Sequence, residues 1–407
     1  MSDFIQFGTI RTLHNIGNRD VGSLNQKLKK YSRNRPMALL MPSLYSDLFS
    51  PAMDGILAIL RKVEYLDQVV IALDRADARQ FKESKEKIAQ LPQHVRLVWL
   101  DGERIQKMFS VVESFGLETG KPGKGRAVWM SLGYVIASER STQVVLHDCD
   151  IITYSEEFLA RLCFPLMNPR LGFEFVKGYY PRFSDRLNGR VVRLFVIPLV
   201  NALITIIGHH PLLEFLRSFR YPLAGEFGMS MDLAKSLRIP YDWGIEVSVL
   251  AEIFRMINPR QVCQVDICDQ YDHKHQDLSD DNPEGGLMKM AIDIAVSIIR
   301  SLATEGVVMS PSFFSTLRIT YLRKAQDAIQ TYNGVADLNN LEFDRHSEGR
   351  AVEAFATSIR YAGEAYISGP LSQPLITNWN RVISAEPTFL DQLVEAVEQD
   401  NLSPVSV

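Results

Sequence analysis

Four short apolar runs alternate with segments whose apolar residues recur at helical spacing. Met37–Met41, Gln68–Leu73, Val95–Leu100 and Gln143–Leu146 have the length and composition of strands. Ser50–Val63, Ala76–Leu91 and Gly125–Ser138 lie between them with helical periodicity. This β-α alternation predicts an α/β fold: a mostly parallel sheet covered by helices. Ligands of such sheets bind at the carboxyl ends of the strands. Downstream the pattern changes. Phe173–Tyr180 reads as a strand, a polar loop over Pro181–Arg190 opens a long apolar helix, and Gln264–Cys268 reads as a late strand. From Gly286 onward the chain is helical in period. The expected segments are an N-terminal arm or helix over 1–34, an α/β half over 35–180, a second half over 181–288 and a helical region over 289–407.

Composition narrows the class without naming a ligand. The 407 residues are 46% hydrophobic and 23% charged, with a net charge of −4, as in a soluble globular protein. That balance offers no global attraction for nucleic acid or an anionic membrane. The arm carries a basic patch of Lys27, Lys29, Lys30, Arg33 and Arg35. Cys149, Cys163, Cys263 and Cys268 have neither Cys-x-x-Cys nor zinc spacing, which suits free thiols in a reducing cytoplasm. The start of the chain has no apolar core of a secretory signal. Leu194–Gly208 is shorter than a membrane span needs and contains Pro198 and Asn201, so a buried or subunit-facing helix is expected there.

Candidate chemistry clusters at the predicted strand exits. Asp148 and Asp150 follow the fourth apolar run two residues apart, so both carboxylates share one face of an extended chain. Two oxygen donors there suit Mg2+ or Mn2+ carrying a diphosphate. A solvated strand end has the same appearance. Gly120–Arg126 is a glycine-rich loop before a helix, without Walker A spacing. Its Gly123 and Gly125 allow close backbone approach, and Lys124 can meet a phosphate. Pro42, Ser43, Leu44 and Asp47 follow the first run, and Asp74 follows the second. Gly189, Arg190 and Arg193 sit at a helix start, where guanidinium groups suit phosphate or carboxylate. Glu226 and Glu246 stand beside glycines and aromatics. Asp272, His273, Lys274 and His275 follow the late strand, where a histidine can complete a metal shell.

Taken in order, Pro42-Ser43-Leu44, Gly123-Lys124-Gly125, Asp148-Cys149-Asp150, Gly189-Arg190-Val191, Gly225-Glu226, Gly244-Ile245-Glu246 and Asp272-His273-Lys274-His275 resemble the glucosyl-3-phosphoglycerate synthases. These are retaining glycosyltransferases of GT-A type, and the resemblance spans about residues 35–280. It implies a GT-A-type, Rossmann-like sheet with a helical C-terminal extension. The implied reaction moves glucose from an NDP-glucose, often UDP-glucose, to the 2-hydroxyl of 3-phosphoglycerate, with Mg2+ or Mn2+ on the diphosphate. The product is a precursor of glucosylglycerate, a compatible solute. Carried over residue by residue, Pro42, Ser43, Leu44, Asp47, Asp74, Lys124, Asp148, Cys149 and Glu226 form the nucleotide-sugar side. Asp150 and His273 hold the metal, and Gly189, Arg190, Val192, Glu246 and His275 meet the acceptor. Asp150, Arg190 and Glu246 then carry catalysis. The chain departs from the family at Tyr45 and Ser46, at Val192, where threonine is usual, and at His275, where asparagine is frequent. A cytoplasmic homodimer without nucleic-acid or membrane partners completes the expectation. Transfer to glycerate, another small acid or a lipid phosphate is the alternative, and so is a non-catalytic sugar-nucleotide-binding protein.

Overall fold

The computed structural model describes residues 6, 8–16, 20–273, 285–369 and 375–402. Eight strands form one sheet: β1 Arg11–Leu13, β2 Met37–Leu44, β3 Leu66–Asp74, β4 His94–Trp99, β5 Gln143–Leu146, β6 Phe175–Tyr179, β7 Phe227–Ser230 and β8 Val262–Asp266. Their spatial order is β1-β8-β6-β7-β5-β2-β3-β4. Only β7 runs against its neighbours, β5 and β6. The reversal sets the start of β7 beside the end of β5, with Phe227 opposite Leu146. This is the mostly parallel, helix-flanked GT-A-type sheet that the pattern and the resemblance predict.

The near-continuous apolar runs are explained by burial on both faces. Along β2, Ala38 and Leu40 face one core while Met37, Leu39 and Met41 face the other. Strand β2 continues through Pro42 to Leu44 because its pairing with β5 ends at Leu40, so the missing N–H falls on an open edge. Strands β1 and β7, and a helix over Glu103–Ser114, were not legible in the pattern. At three and four residues, the two strands are too short for a period to register.

The apolar segment after Arg190 begins as a buried π-helical turn over Val191–Val196 and continues as an α-helix over Ile197–Ile207 that is buried on one side and half-buried toward its end. Pro198 cannot donate to the carbonyl four residues back. The Tyr321 hydroxyl, 2.8 Å from Leu194 O, supplies the bond instead. Tyr321 belongs to helix Pro311–Leu338, which packs here with helices Gly286–Thr304 and Arg345–Ser368. Among the described residues no helix is long and apolar enough to cross a membrane. At the far edge, the terminal helix Phe389–Leu402 covers β4. The Asn401 amide pairs with Leu97 N and O at 3.0 and 2.8 Å, closing that edge as a further strand would.

Candidate functional site

At the exit of β5, alternation turns Asp148 and Asp150 toward the cleft, while Cys149 between them is buried in the core with Val145 and Ile151. The carry-over gave Cys149 a place among the donor contacts. Its thiol faces away, so only its backbone is available to a ligand. Lys124, the first residue of helix Lys124–Ala137, reaches Asp148 Oδ1 at 2.8 Å and Glu246 Oε1 at 3.0 Å. Glu246 lies in the first turn of helix Ile245–Met256, where amide dipoles favour a carboxylate. Burial opposes the Lys124 charge, but Asp148 and Glu246 outweigh it and hold the ammonium protonated far above the ordinary lysine range. Burial likewise opposes the Asp148 carboxylate, and Lys124 keeps it below its ordinary range. Close packing there depends on Gly225: a Cβ would lie 2.6 Å from Asp148 Oδ2.

Asp150 meets a second element. Past β8 the chain returns antiparallel to the β5 exit, with Ile151 bridged to His273 and Ile152 N donating to Asp272 O at 2.9 Å. His273 Nδ1 thereby lies 3.8 Å from Asp150 Oδ1. Among the described residues that buried carboxylate oxygen has no hydrogen-bond partner, which fits a direction left for a cation. One carboxylate and one imidazole suit Mn2+ or Mg2+, with the remaining positions filled by diphosphate oxygens and water. Among the described residues no third His, Cys, Asp or Glu joins them. His275 and Lys274 lie outside the described residues.

Behind the cleft, Glu226 is fully buried, with its two oxygens held by Tyr180 and Tyr271 hydroxyls at 2.6 and 2.7 Å. Burial and the nearby Asp148 raise its pKa, against the pull of those two hydrogen bonds. Tyr180 and Tyr271 stack on each other with centroids 3.8 Å apart. His147 is fully buried, bonded to Asp148 O and to the Tyr154 hydroxyl, and burial lowers its pKa to about 4. On β6, the equally buried Lys177 lies over the Phe227 ring, and burial lowers its pKa to about 8. Glu226 was marked by its glycine and aromatic neighbours, but Tyr180, Tyr271, His147 and Lys177 have no local signal that tells them from other residues at the end of an apolar run.

The remaining residues that the resemblance assigns to the donor side lie at the adjacent strand exits. Leu44 pairs in register with Asp74, Pro42 with Ala72, and Ser43 is buried beside Cys149. Asp47 lies in the short helix Tyr45–Leu48. Asp74 accepts from Arg75 N at 3.0 Å, and burial followed by Asp101 raises its pKa. In the glycine-rich loop the close approach that is observed is by the chain itself. A Cβ at Gly125 would sit 1.9 Å from Pro240 O. Its closest neighbour is therefore the chain's own Pro240–Tyr241 segment, which leads into Glu246.

The expected acceptor loop is tied to the C-terminal helices. Gly189 turns it at φ +70°, Val192 is buried, and Arg190 is tied to Glu348 and Ser347 of helix Arg345–Ser368. Arg193 joins the same carboxylate. Glu348 had no counterpart in the motifs, because nothing near it in sequence shows what it meets.

No protein-family profile matches the chain. Whole proteins do. The chain is 44% identical over 401 residues to the glucosyl-3-phosphoglycerate synthase of Persephonella marina, covering 98% of this chain and 99% of that protein. It is 38% identical over 397 residues to the enzyme of the same name from Methanococcoides burtonii, covering 96% of each. The crystal structure of glucosyl-3-phosphoglycerate synthase from Mycobacterium tuberculosis with Mn2+, UDP-glucose and phosphoglyceric acid shares its fold. The TM-score is 0.54 at 20% identity, over 72% of this chain and 88% of that one. Identity at this level along nearly the whole length, on the predicted sheet, means that the chain belongs to the glucosyl-3-phosphoglycerate synthase family.

Proposed function

We propose that the protein transfers glucose from UDP-glucose to the 2-hydroxyl of 3-phosphoglycerate with retention of anomeric configuration, giving glucosyl-3-phosphoglycerate. The observation that carries this reading is the convergence of Asp148, Lys124 and Glu246 beside Asp150 and His273 at one sheet edge, in a chain so similar to these synthases over its full length. Asp150 and His273 would hold the divalent ion, which would supply Lewis-acid stabilisation of the departing diphosphate. Lys124 adds fixed positive charge beside it. Pro42, Ser43, Leu44, Asp47 and Asp74 border the nucleotide, and Asp148 meets its ribose. Glu246 orients the sugar toward the acceptor, and Arg190, with the amides around Gly189, binds the acceptor's anionic groups.

In the reaction the anomeric carbon–oxygen bond to the β-phosphate breaks. A new bond forms to the acceptor oxygen, whose proton passes to the departing diphosphate. Glu226 has both oxygens bound by tyrosines and Glu246 is tied to Lys124, which favours same-face attack over a covalent enzyme intermediate. The family resemblance alone supports three further elements of the reading: a homodimer, a cytoplasmic location and a compatible-solute precursor as product.

The test is transfer of radiolabelled glucose from UDP-glucose to 3-phosphoglycerate, glycerate and polyprenyl phosphate, with Mn2+ or with chelator. Metal-dependent labelling of 3-phosphoglycerate above the other two is expected. Preferential labelling of glycerate or polyprenyl phosphate overturns the acceptor, and tight UDP-glucose binding without any transfer overturns the enzyme.

A further inference from the structure

The loop carrying Gly189 and Arg190 is held in place from outside the sheet. It folds back on itself, with Phe183 bridged to Leu187 and Asn188 N donating to Arg182 O at 2.9 Å. Arg193 binds two of its carbonyls, Asn188 O through Nε at 3.0 Å and Leu187 O through Nη2 at 2.9 Å. Its third nitrogen, Nη1, donates to Glu348 Oε2 at 2.5 Å. All three nitrogens of Arg193 are thus committed to structure. The other oxygen of Glu348 receives Arg190 Nε at 2.9 Å, and Arg190 Nη2 reaches Ser347 Oγ at 3.3 Å. Glu348 is buried, whereas the Arg190 side chain is 30% exposed.

Nε and Nη2 form one edge of a guanidinium. Both are occupied, so Arg190 presents its Nη1 end, in a fixed orientation, to whatever enters the loop's side of the cleft. We infer that Glu348 is the positioning residue of the acceptor subsite. By holding Arg190 on one edge and the loop through Arg193, it aims the end of Arg190 that has no partner among the described residues at an acceptor that carries a phosphate and a carboxylate. The inference rests on the acceptor role proposed for Arg190. An arginine fixed in advance loses less rotamer freedom on binding, and that saving appears as acceptor affinity. It also assigns a function to the helical C-terminal region, which holds no motif of its own.

Steady-state kinetics of the full-length chain, varying UDP-glucose and 3-phosphoglycerate separately, test this alongside thermal melts. Glu348→Gln keeps the side chain's size and one acceptor oxygen but removes the charge. It is expected to raise the KM for 3-phosphoglycerate about tenfold, the loss of one charge-assisted hydrogen bond, with the KM for UDP-glucose unchanged. Glu348→Asp, which retains the charge, is expected to restore most of that loss. Glu342→Gln, at an exposed pair with Arg186 on the same loop, is expected to change neither constant. An acceptor KM unmoved in Glu348→Gln overturns the inference. So does a parallel rise of both KM values with a lowered melting temperature, which marks a purely structural carboxylate. Arg190→Ala separates the two levels. If it leaves the acceptor KM unchanged, the reading of Arg190 falls and this inference falls with it. If it raises that KM while Glu348→Gln does not, the inference alone falls.

Discussion

The molecule holds two charge triads near its candidate site residues, and their compositions are inverse. At the sheet edge one cation, Lys124, lies between the carboxylates of Asp148 and Glu246, at 2.8 and 3.0 Å. On the loop one carboxylate, Glu348, lies between the guanidinium groups of Arg190 and Arg193, at 2.9 and 2.5 Å. Both obey the same rule, that charge withdrawn from water is paired. The remainders differ in sign: one positive against two negative leaves a negative sheet edge, and two positive against one negative leaves a positive loop. Asp150 deepens the first. A negative remainder suits a divalent cation, and a positive one suits an acceptor bearing phosphate and carboxylate. Pairing stabilises each triad, while the unbalanced charge of each suits it to one of two opposite ligands.

The largest expected effect comes from breaking the sheet-edge side at the metal. Asp150→Asn is expected to lower metal-dependent kcat/KM by roughly a thousandfold, about 4 kcal/mol in transition-state stabilisation, with an unchanged far-UV spectrum and melt. Near-normal turnover removes Asp150 from the site. Acid gives the next largest effect, and it acts behind the same triad. Burial lowers the His147 pKa from 6.5 to about 4 in the fold. Between those values the unfolded chain binds the proton and the folded chain does not. Stability from this group is therefore full above pH 6.5 and lost as pH falls toward 4, roughly 3 kcal/mol in all. Urea melts at pH 7 and 4.5 should show a steeper loss in the wild type than in His147→Gln; equal slopes in the two discount His147.

The smallest of the three sharpens the comparison itself. Lys124→Met leaves Asp148 and Glu246 facing each other without a cation. A fully buried pair broken in this way costs about 3–5 kcal/mol. With Lys124 and Asp148 about a quarter exposed, at 23% and 25%, a loss of about 2 kcal/mol is expected. Adding Glu246→Gln should recover part of the stability but not the activity. The UDP-glucose KM should rise while the 3-phosphoglycerate KM holds. The opposite pattern would assign the two triads to the wrong substrates.

Most of the α/β half was legible, and for a common reason. Strands β2 and β3 and the four residues of β5 announced themselves because both faces of those runs are buried, so the apolar signal is continuous, while β4 showed through Leu97 and Val98 alone, the rest of it being half-buried. The Asp148–Asp150 spacing was legible because alternation along an extended chain is a local property. Strand β7 was not: four residues, Phe227–Ser230, carry no period, and their antiparallel insertion between β5 and β6 is a long-range choice. The packing of Gly125 is hidden in the sequence for a similar reason. A glycine's freedom is visible in the sequence, but the Pro240–Tyr241 segment that fills the space is not.

By itself, then, the sequence determined the α/β class, the sheet edge where chemistry gathers, the shared orientation of Asp148 and Asp150, and the family whose motifs it carries in order. These follow from period, spacing and residue type, all set within a few positions of the chain. Tertiary structure alone decided that Cys149 turns into the core, that Glu226 is locked between Tyr180 and Tyr271, and that Arg190 shares Glu348 with Arg193 across about 155 residues. Such partners are chosen by how helices and loops pack once formed, and a charge's partner leaves no mark on the residues beside it.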